Sequence, residues 1–372
     1  MTQRPFDFAI IGAGLVGSAM AHAISKGGHR VGLFDEGDHP YRASSGNFAL
    51  VWLQGKGLGM TPYANWSRES VDLWREFADD VEEDARMDVA LRQPGGFQLA
   101  LSDMEMERLC STAGAINAQP GVTRYGYEVL DADEVRRRLP AVGPGVIGAT
   151  YCSLDGHVNA LRLYQALHRA AIARGVEYIP RHRVERIEHS GAFRVVFADG
   201  TASTAERIVL AAGLDNARLA PMVGLDVPVR PQRGQILVTE KVPPFLSYPV
   251  STLRQTDEGS VMLGDSQEEA GFDDQVGPGI MSVLADRAVR MFPALGSVNV
   301  VRSWACLRVL SRDGYPIYEQ SPCFPGAFVA TCHSGVTLAA AHARILAPAI
   351  IAGTLPDRLK AFETGRFHVS AQ

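Results

Sequence analysis

Apolar positions near the start of the chain fall in two short runs, Phe6-Asp7-Phe8-Ala9-Ile10-Ile11 and Arg30-Val31-Gly32-Leu33-Phe34. Between them lies a helix-compatible stretch, Ser18 to Ser25. This alternation predicts a strand–helix–strand unit. The turn out of the first strand reads Gly12-Ala13-Gly14-Leu15-Val16-Gly17, and the second strand delivers Asp35 followed by Glu36. In that G-x-G-x-x-G, Gly12 permits a tight turn, Gly14 lets a pyrophosphate approach the backbone, and Gly17 lets the helix pack closely. The helix N-terminus offers free N–H groups and partial positive charge to the phosphates. Asp35 stands at the spacing of a carboxylate that accepts from a ribose hydroxyl. A lone G-x-G-x-x-G is a weak signal. With strand, helix and acid all in place it predicts an adenine-dinucleotide site.

Further along, Thr61-Pro62 reads as an N-cap and first helical residue, opening a helix to about Asp84 with Trp66, Val71, Trp74 and Phe77 on one stripe. Ser102-Asp103-Met104-Glu105 is a capping-box pattern ahead of a helix to about Asn117. Asp131 caps a short helix stopped by Leu139-Pro140, and Asn159 caps Ala160 to Arg174, ended by Gly175. Phe193 to Phe197 alternates into an Asp199-Gly200 hairpin turn, and Arg207 to Gly213 reads as a buried strand ending in small residues. From Val229 to Leu310 the pattern turns strand-like (Gln235 to Thr239, Val261 to Gly264, Val298 to Leu310), with one amphipathic helix, Pro278 to Phe292. A last strand and helix, Phe328 to Ile351, return to the first unit.

One nucleotide motif occurs in 372 residues, with no second strand–G-x-G-x-x-G–helix unit. An enzyme that passes hydride from NAD(P)H to a bound flavin normally needs two nucleotide sites. Two readings remain: an NAD-linked dehydrogenase, or a protein that holds FAD and takes electrons directly from a small substrate. The hairpin followed by a small-residue strand end favours FAD, since an NAD enzyme would more simply continue with strand–helix–strand units. The expected fold class is therefore α/β, a Rossmann-like FAD-binding domain with a parallel sheet plus an inserted α+β substrate domain with an antiparallel sheet. Asp155-Gly156 and Pro231 to Gly234 mark the expected crossings. The FAD-binding domain then comprises 1–85, 145–228 and 310–372, and the substrate-binding domain 86–144 and 229–309.

Composition narrows the picture. A 46% hydrophobic content suits one large or two intimate domains, and a net charge of −5 carries no footprint of nucleic acid or anionic membrane. The first apolar run contains the nucleotide loop, so it does not read as a signal peptide. Val336 to Ala352 is interrupted by His342, Arg344 and Pro348, which predicts a core helix and no transmembrane segment. Five cysteines without C-x-x-C pairing argue against a metal or iron–sulfur site in this chain and for a cytoplasmic location.

Beyond the N-terminal motif, seven short segments follow in order. They are Arg42-Ala43-Ser44-Ser45-Gly46-Asn47, Asp155-Gly156-His157-Val158-Asn159, Leu210-Ala211-Ala212-Gly213, Arg233-Gly234-Gln235, Leu307-Arg308, Asp313-Gly314-Tyr315-Pro316-Ile317 and His333-Ser334-Gly335-Val336-Thr337. With them the chain resembles, over nearly its full length, the FAD-dependent D-amino-acid oxidase, glycine oxidase and sarcosine oxidase superfamily. Gly46 to Gly57 looks closest to the flavoprotein components of bacterial opine and D-hydroxyproline dehydrogenases.

The resemblance implies cofactor contacts by Arg42, Ser44, Ser45, Asn47, Phe48 and Leu50, by Val184 on an adenine-contacting strand, and by Ala212 and Gly213. It implies further flavin contacts by Arg308, Ser334, Gly335, Val336 and Thr337, the last three opening the C-terminal helix. Ser44, Ser45 and Asn47 are compact groups suited to a loop against pyrophosphate and flavin ring; without the upstream motif they would read as a polar turn. Arg308 is the expected clamp for a substrate carboxylate, because guanidinium binds carboxylate bidentately. The alternative pairs it with Asp313 or Glu268. His333 is a candidate catalytic base, although histidines at strand–helix junctions are more often structural. Lys56 and Gln54 are possible pocket contacts, with a solvated loop the expected alternative.

Cys306, Cys332 and Val309 replace the family's two glycines and proline. Cys306 allows a covalent flavin thioether, but Arg308 follows the amino-acid-oxidase pattern, so non-covalent FAD is expected. The activity implied is oxidation of the C–N bond of a small amino acid, imino acid or opine by hydride transfer to flavin N5, the imine hydrolysing to a 2-oxo acid. The alternative is a flavin-bearing component of a larger enzyme, active only beside partner subunits carrying an iron–sulfur or second flavin centre.

Overall fold

The computed structural model describes residues 5–37, 42–264 and 266–368. The strand Phe6–Ile11 pairs in parallel with Val31–Phe34 on one side and Ala202–Leu210 on the other. Parallel pairing extends outward to Glu177–Ile179 and Ala327–Thr331, and Ile317–Gln320 adds antiparallel at the edge. The predicted hairpin about Asp199-Gly200 pairs Phe193–Phe197 antiparallel with the start of Ala202–Leu210, and Val184–His189 adds on the far side of Phe193–Phe197. The helix Leu15–Lys26 covers one face, where Met20, Ala21 and Ile24 pack with Phe8, Ile10, Val31 and Leu33. Near-continuous apolar strands fit a sheet covered on both faces.

A second, antiparallel sheet runs in the order Leu253–Gln255, Ser260–Leu263, Val229–Lys241, Val300–Ser311. A three-stranded sheet, Gly96–Ala100, Gly148–Cys152 and Glu128–Asp131, meets it at a Phe97–Val250 bridge. The helix Pro278–Met291 closes this half, burying Ala288 and Met291 against Leu237, Leu253 and Phe292. The class is α/β with the expected pair of sheets.

Several elements differ from the sequence reading. The long helix expected from Thr61 to Asp84 is two helices, Thr61–Asp72 and Trp74–Ala85, with Met60 rather than Thr61 at the N-cap. The break falls at Leu73, between Ser70 and Trp74, whose side chains both donate to the Thr337 carbonyl, at 2.7 and 3.0 Å. Pro231 to Gly234 is no turn but lies inside the strand Val229–Lys241. Proline is tolerated there because pairing on that side begins only beyond it, with Glu268 at Arg233 and with Ser260–Leu263 from Leu237. The segment 145–228, assigned to the cofactor half, begins with Gly148–Cys152, whose partners lie in the other half.

The C-terminal helix opens at Ala339, after a turn over 335–338, not at Gly335. It then widens into a π-turn, His342–Leu346, before Ala347–Ala352. Pro348, which cannot donate to the ladder, follows that turn directly.

Candidate active site

Gly12 makes the tight turn and Gly17 the close helix packing that their spacing predicts. Gly12 has φ +101°, and a Cβ on it would lie 2.5 Å from the Ala211 carbonyl oxygen of the adjacent strand end. A Cβ on Gly17 would lie 1.9 Å from the Gly12 oxygen, so only glycine lets the helix come this close. Gly14 meets the serine loop: its Cβ would stand 2.8 Å from Ser44 Oγ, which accepts from Leu15 N at 3.0 Å. Ser44 thus caps, from 29 residues away, a helix whose own N-cap has no side chain. Asp35 holds the loop with both oxygens, accepting from Ala13 N at 2.8 Å and Gly37 N at 2.9 Å. Its side chain is 10% exposed, while Glu36 is 38% exposed and pairs with Arg42 at 2.6 Å.

These groups border a cleft of about 600 Å³. Gly12, Gly14, Leu15, Val16, Asp35 and Glu36 line one end, with Arg42, Ser44 and Val184 beside them. Ala212, Gly213 and Gly335 line it further along. Ala13 and Gly17 are buried behind the lining, where Ala13 N is bonded to Asp35 and Gly17 sits on Gly12. Ser45 also lies off the lining and donates weakly to the Arg42 carbonyl at 3.4 Å. The glycine cradle, the capped helix N-terminus and the length of the cleft fit an adenine dinucleotide.

Asn47 and His333 lie on the walls of both this cleft and a second cavity of about 380 Å³. Phe48, Leu50, Ser334, Val336 and Thr337 border the second cavity, and so do Cys306 and Arg308. Strand register places Cys306 across from Gly234 and Arg308 across from Gln232. The Arg308 guanidinium lies on Gly234, whose missing Cβ would be 2.6 Å from Cζ and both terminal nitrogens, and Nη1 donates to the Arg233 carbonyl at 3.1 Å. The two carboxylates that could have neutralised it are engaged elsewhere. Glu268 pairs with Arg233 at 2.8 Å and Asp313 with Arg366 at 2.8 Å. Among the described residues Arg308 has no acidic partner.

His333 opens onto both cavities, yet enclosure by protein, aided by the charges of Lys56 and Arg308, depresses its pKa to about 3. So acidic an imidazolium holds His333 neutral near pH 7 and makes it a weak proton acceptor. Burial raises the Cys306 thiol pKa, and Sγ sits 3.5 Å from the Gly46 carbonyl. Cys332 is pushed up to about 12 by burial. Neither is a ready thiolate.

The sequence reading also placed Lys56 and Gln54 in a solvated loop as the main expectation, and that is corrected. Gln54 is 4% exposed, bonded to Asp155 at 2.8 Å and to Thr150 at 2.7 Å. Asp155 is wholly buried, accepts from Leu53 N at 2.6 Å, and is raised to about 7 by desolvation. Lys56 Nζ donates to Ser334 Oγ at 2.6 Å and to Tyr63 Oη at 3.4 Å. Gly55-Lys56-Gly57, with φ +80° and +83° at its glycines, was the available sign of a tightly wound loop. Among the described residues no cluster of three or more His, Cys, Asp or Glu could hold a metal, and no single helix is long and apolar enough to cross a membrane.

A glycine-cradled cleft sharing walls with a cavity whose arginine has no acidic partner among the described residues fits a dinucleotide-dependent oxidoreductase. Consistent with this, the family described as DAO, FAD dependent oxidoreductase, matches residues 7–349, and the chain belongs to it. That closes the NAD-linked alternative. The chain is 46% identical over 362 residues to an opine oxidase subunit of Agrobacterium tumefaciens (strain Ach5), covering 97% of this chain and 98% of that protein. It is 44% identical over 361 residues to the opine oxidase subunit of the same designation in Rhizobium meliloti, covering 97% of each. The solved glycine oxidase of Geobacillus kaustophilus shares the fold at TM-score 0.87 with 24% identity, covering 100% of both chains.

Proposed function

We propose that this flavoenzyme oxidises the C–N bond of a small amino acid, imino acid or opine, with Arg308 clamping the substrate carboxylate. The observation that carries the reading is the Arg308 guanidinium, without an acidic partner among the described residues, in the 380 Å³ cavity that shares Asn47 and His333 with the cofactor cleft. Bound FAD supplies the two-electron acceptor at N5 for hydride from the substrate Cα, leaving an imine that hydrolyses to a 2-oxo acid. The chain itself supplies placement. Gly12, Gly14 and Ser44 receive the pyrophosphate, Val184 and Glu36 flank the adenosine end, and Arg308 fixes the carboxylate so that Cα presents one hydrogen. Hydride transfer from a neutral amine needs no strong base, which suits a neutral His333. Raised thiol pKa values at Cys306 and Cys332 support non-covalent FAD.

The test is anaerobic bleaching of the flavin band by D- and L-amino acids, proline derivatives and opines. At least one of these should reduce the flavin within seconds; no reduction by any of them refutes the reading. A role inside a larger enzyme is favoured by one further observation, the full-length likeness to proteins named as opine oxidase subunits. The electron acceptor would then be an iron–sulfur or second flavin centre on a partner chain. If so, the isolated chain reduces artificial dyes but makes little peroxide with oxygen; rapid peroxide formation rules it out. All five cysteines are free, which supports a reducing, cytoplasmic setting.

A further inference from the structure

The 380 Å³ cavity is lined by two cationic side chains, Arg308 and Lys56, and among the described residues by no aspartate or glutamate. Among the described residues Lys56 has no carboxylate within ion-pair range; its ammonium is held by two neutral hydroxyls, Ser334 Oγ and Tyr63 Oη. It is half-buried and aimed inward by its loop, because Gly57 packs against the Ala64 backbone, where a Cβ would meet the nitrogen at 2.5 Å. His333 lies within electrostatic reach of both cations, since each contributes to its depressed pKa. Gln54 and Gln98, neutral amides, share the same wall. The buried acid nearby, Asp155, is fully enclosed and turned to Leu53 N and Gln54; the Lys56 charge reaches it and lowers its pKa, but no ion pair joins the two.

Two cations that make no ion pair among the described residues, in a small, partly desolvated cavity, are matched by two anionic groups on one ligand. A substrate with one carboxylate satisfies Arg308 and leaves Lys56 facing the same cavity with no carboxylate in ion-pair range among the described residues. We propose that Lys56 and Ser334, held from behind by Tyr63, form a second carboxylate subsite, so that the cavity selects secondary amines bearing a carboxylate on each arm. This rests on the reading of Arg308 as the first carboxylate clamp. In this arrangement Arg308 fixes the arm whose Cα is oxidised, and Lys56 fixes the other arm, setting which substrates are held rather than how fast the bond breaks.

The probes are diglycolate, an ether with two carboxymethyl arms, and methoxyacetate, its one-carboxylate counterpart; neither carries an oxidisable amine. Calorimetric titration of the flavin-loaded protein should show diglycolate binding about tenfold to hundredfold more tightly. Lys56→Met should bring diglycolate down to the methoxyacetate level and leave methoxyacetate unchanged. Lys56→Gln, which keeps a donor for Ser334 and Tyr63, replaces it if Lys56→Met loses flavin, with the same expectation. Equal affinity of the parent for both probes overturns the proposal. So does a preference that survives the substitution, or a variant that weakens both probes alike. Since no amine is oxidised, these outcomes are independent of the bleaching test above, and failure of either reading is told apart from failure of the other.

Discussion

Gly234→Ala isolates the carboxylate clamp without touching the clamping residue. Gly234 lies in a regular strand, opposite Cys306, and its φ is outside the left-handed region, so alanine fits the backbone. The added Cβ would stand 2.6 Å from the Arg308 Cζ, Nη1 and Nη2. Ordinary carbon contacts lie near 3.5–4.0 Å, so the guanidinium must retreat by roughly 1 Å. A long side chain yields cheaply, and alanine lowers the entropy of the unfolded chain by about 0.4–1 kcal/mol, so stability should hold or rise slightly. Catalysis should not hold. A misplacement of about 1 Å in a group that orients the reacting atoms costs on the order of a hundredfold, or about 2.7 kcal/mol in the barrier. Stopped-flow flavin reduction, set beside thermal melts and flavin content, reads both effects. Unchanged reduction with a lowered melting temperature would refute the argument, because it would make Arg308 a packing residue.

Other consequences follow from the same geometry. Gly17→Ala would drive a Cβ to 1.9 Å from the Gly12 oxygen, backbone against backbone, so it should cost about 3 kcal/mol or more and strip the flavin; a variant purified fully yellow contradicts the cradle. Acid precipitation should release all flavin into the supernatant, and Cys306→Ala should retain its full complement; colour remaining in the pellet would mean a covalent bond. Asp84, bonded to Arg174 and to His22 at 2.6 Å, is held down to about 2 from its ordinary 3.8. A depressed carboxylate stabilises the fold above its unfolded value, and that stability is lost as pH falls from about 4 to about 2. Asp84→Asn should therefore cost about 1–2 kcal/mol near pH 7, after discounting for the exposed Arg174. The gap to the parent should shrink as pH falls below about 4 and close near pH 2 in urea unfolding; a gap constant across that range would assign the loss to packing instead.

What the sequence disclosed was what depends on near neighbours. Gly12, Gly14 and Gly17 have tasks set by a turn six residues long, and the strand that precedes them and the acid that follows are local too. Ser102, Asp131 and Asn159 cap their helices through bonds to N–H groups three residues on, so spacing alone was enough to find them. The break at Leu73 was invisible because it accompanies bonds from Ser70 and Trp74 to Thr337, 267 and 263 residues away. The site divides the same way. Arg308 could be placed on a strand, which proves to be the edge strand Val300–Ser311, but whether it clamps substrate or closes a salt bridge turns on where Glu268 and Asp313 find other partners. Arg233 takes the first from 35 residues away and Arg366 the second from 53, and neither choice leaves a mark at Leu307-Arg308. Lys56 was lost for a related reason. A lysine between two glycines reads as solvated until the chain at Ala64, Tyr63 and Ser334 closes around it. Function in this cavity therefore resides less in which cations are present than in which acids the fold has occupied elsewhere, and that is a property of the whole chain.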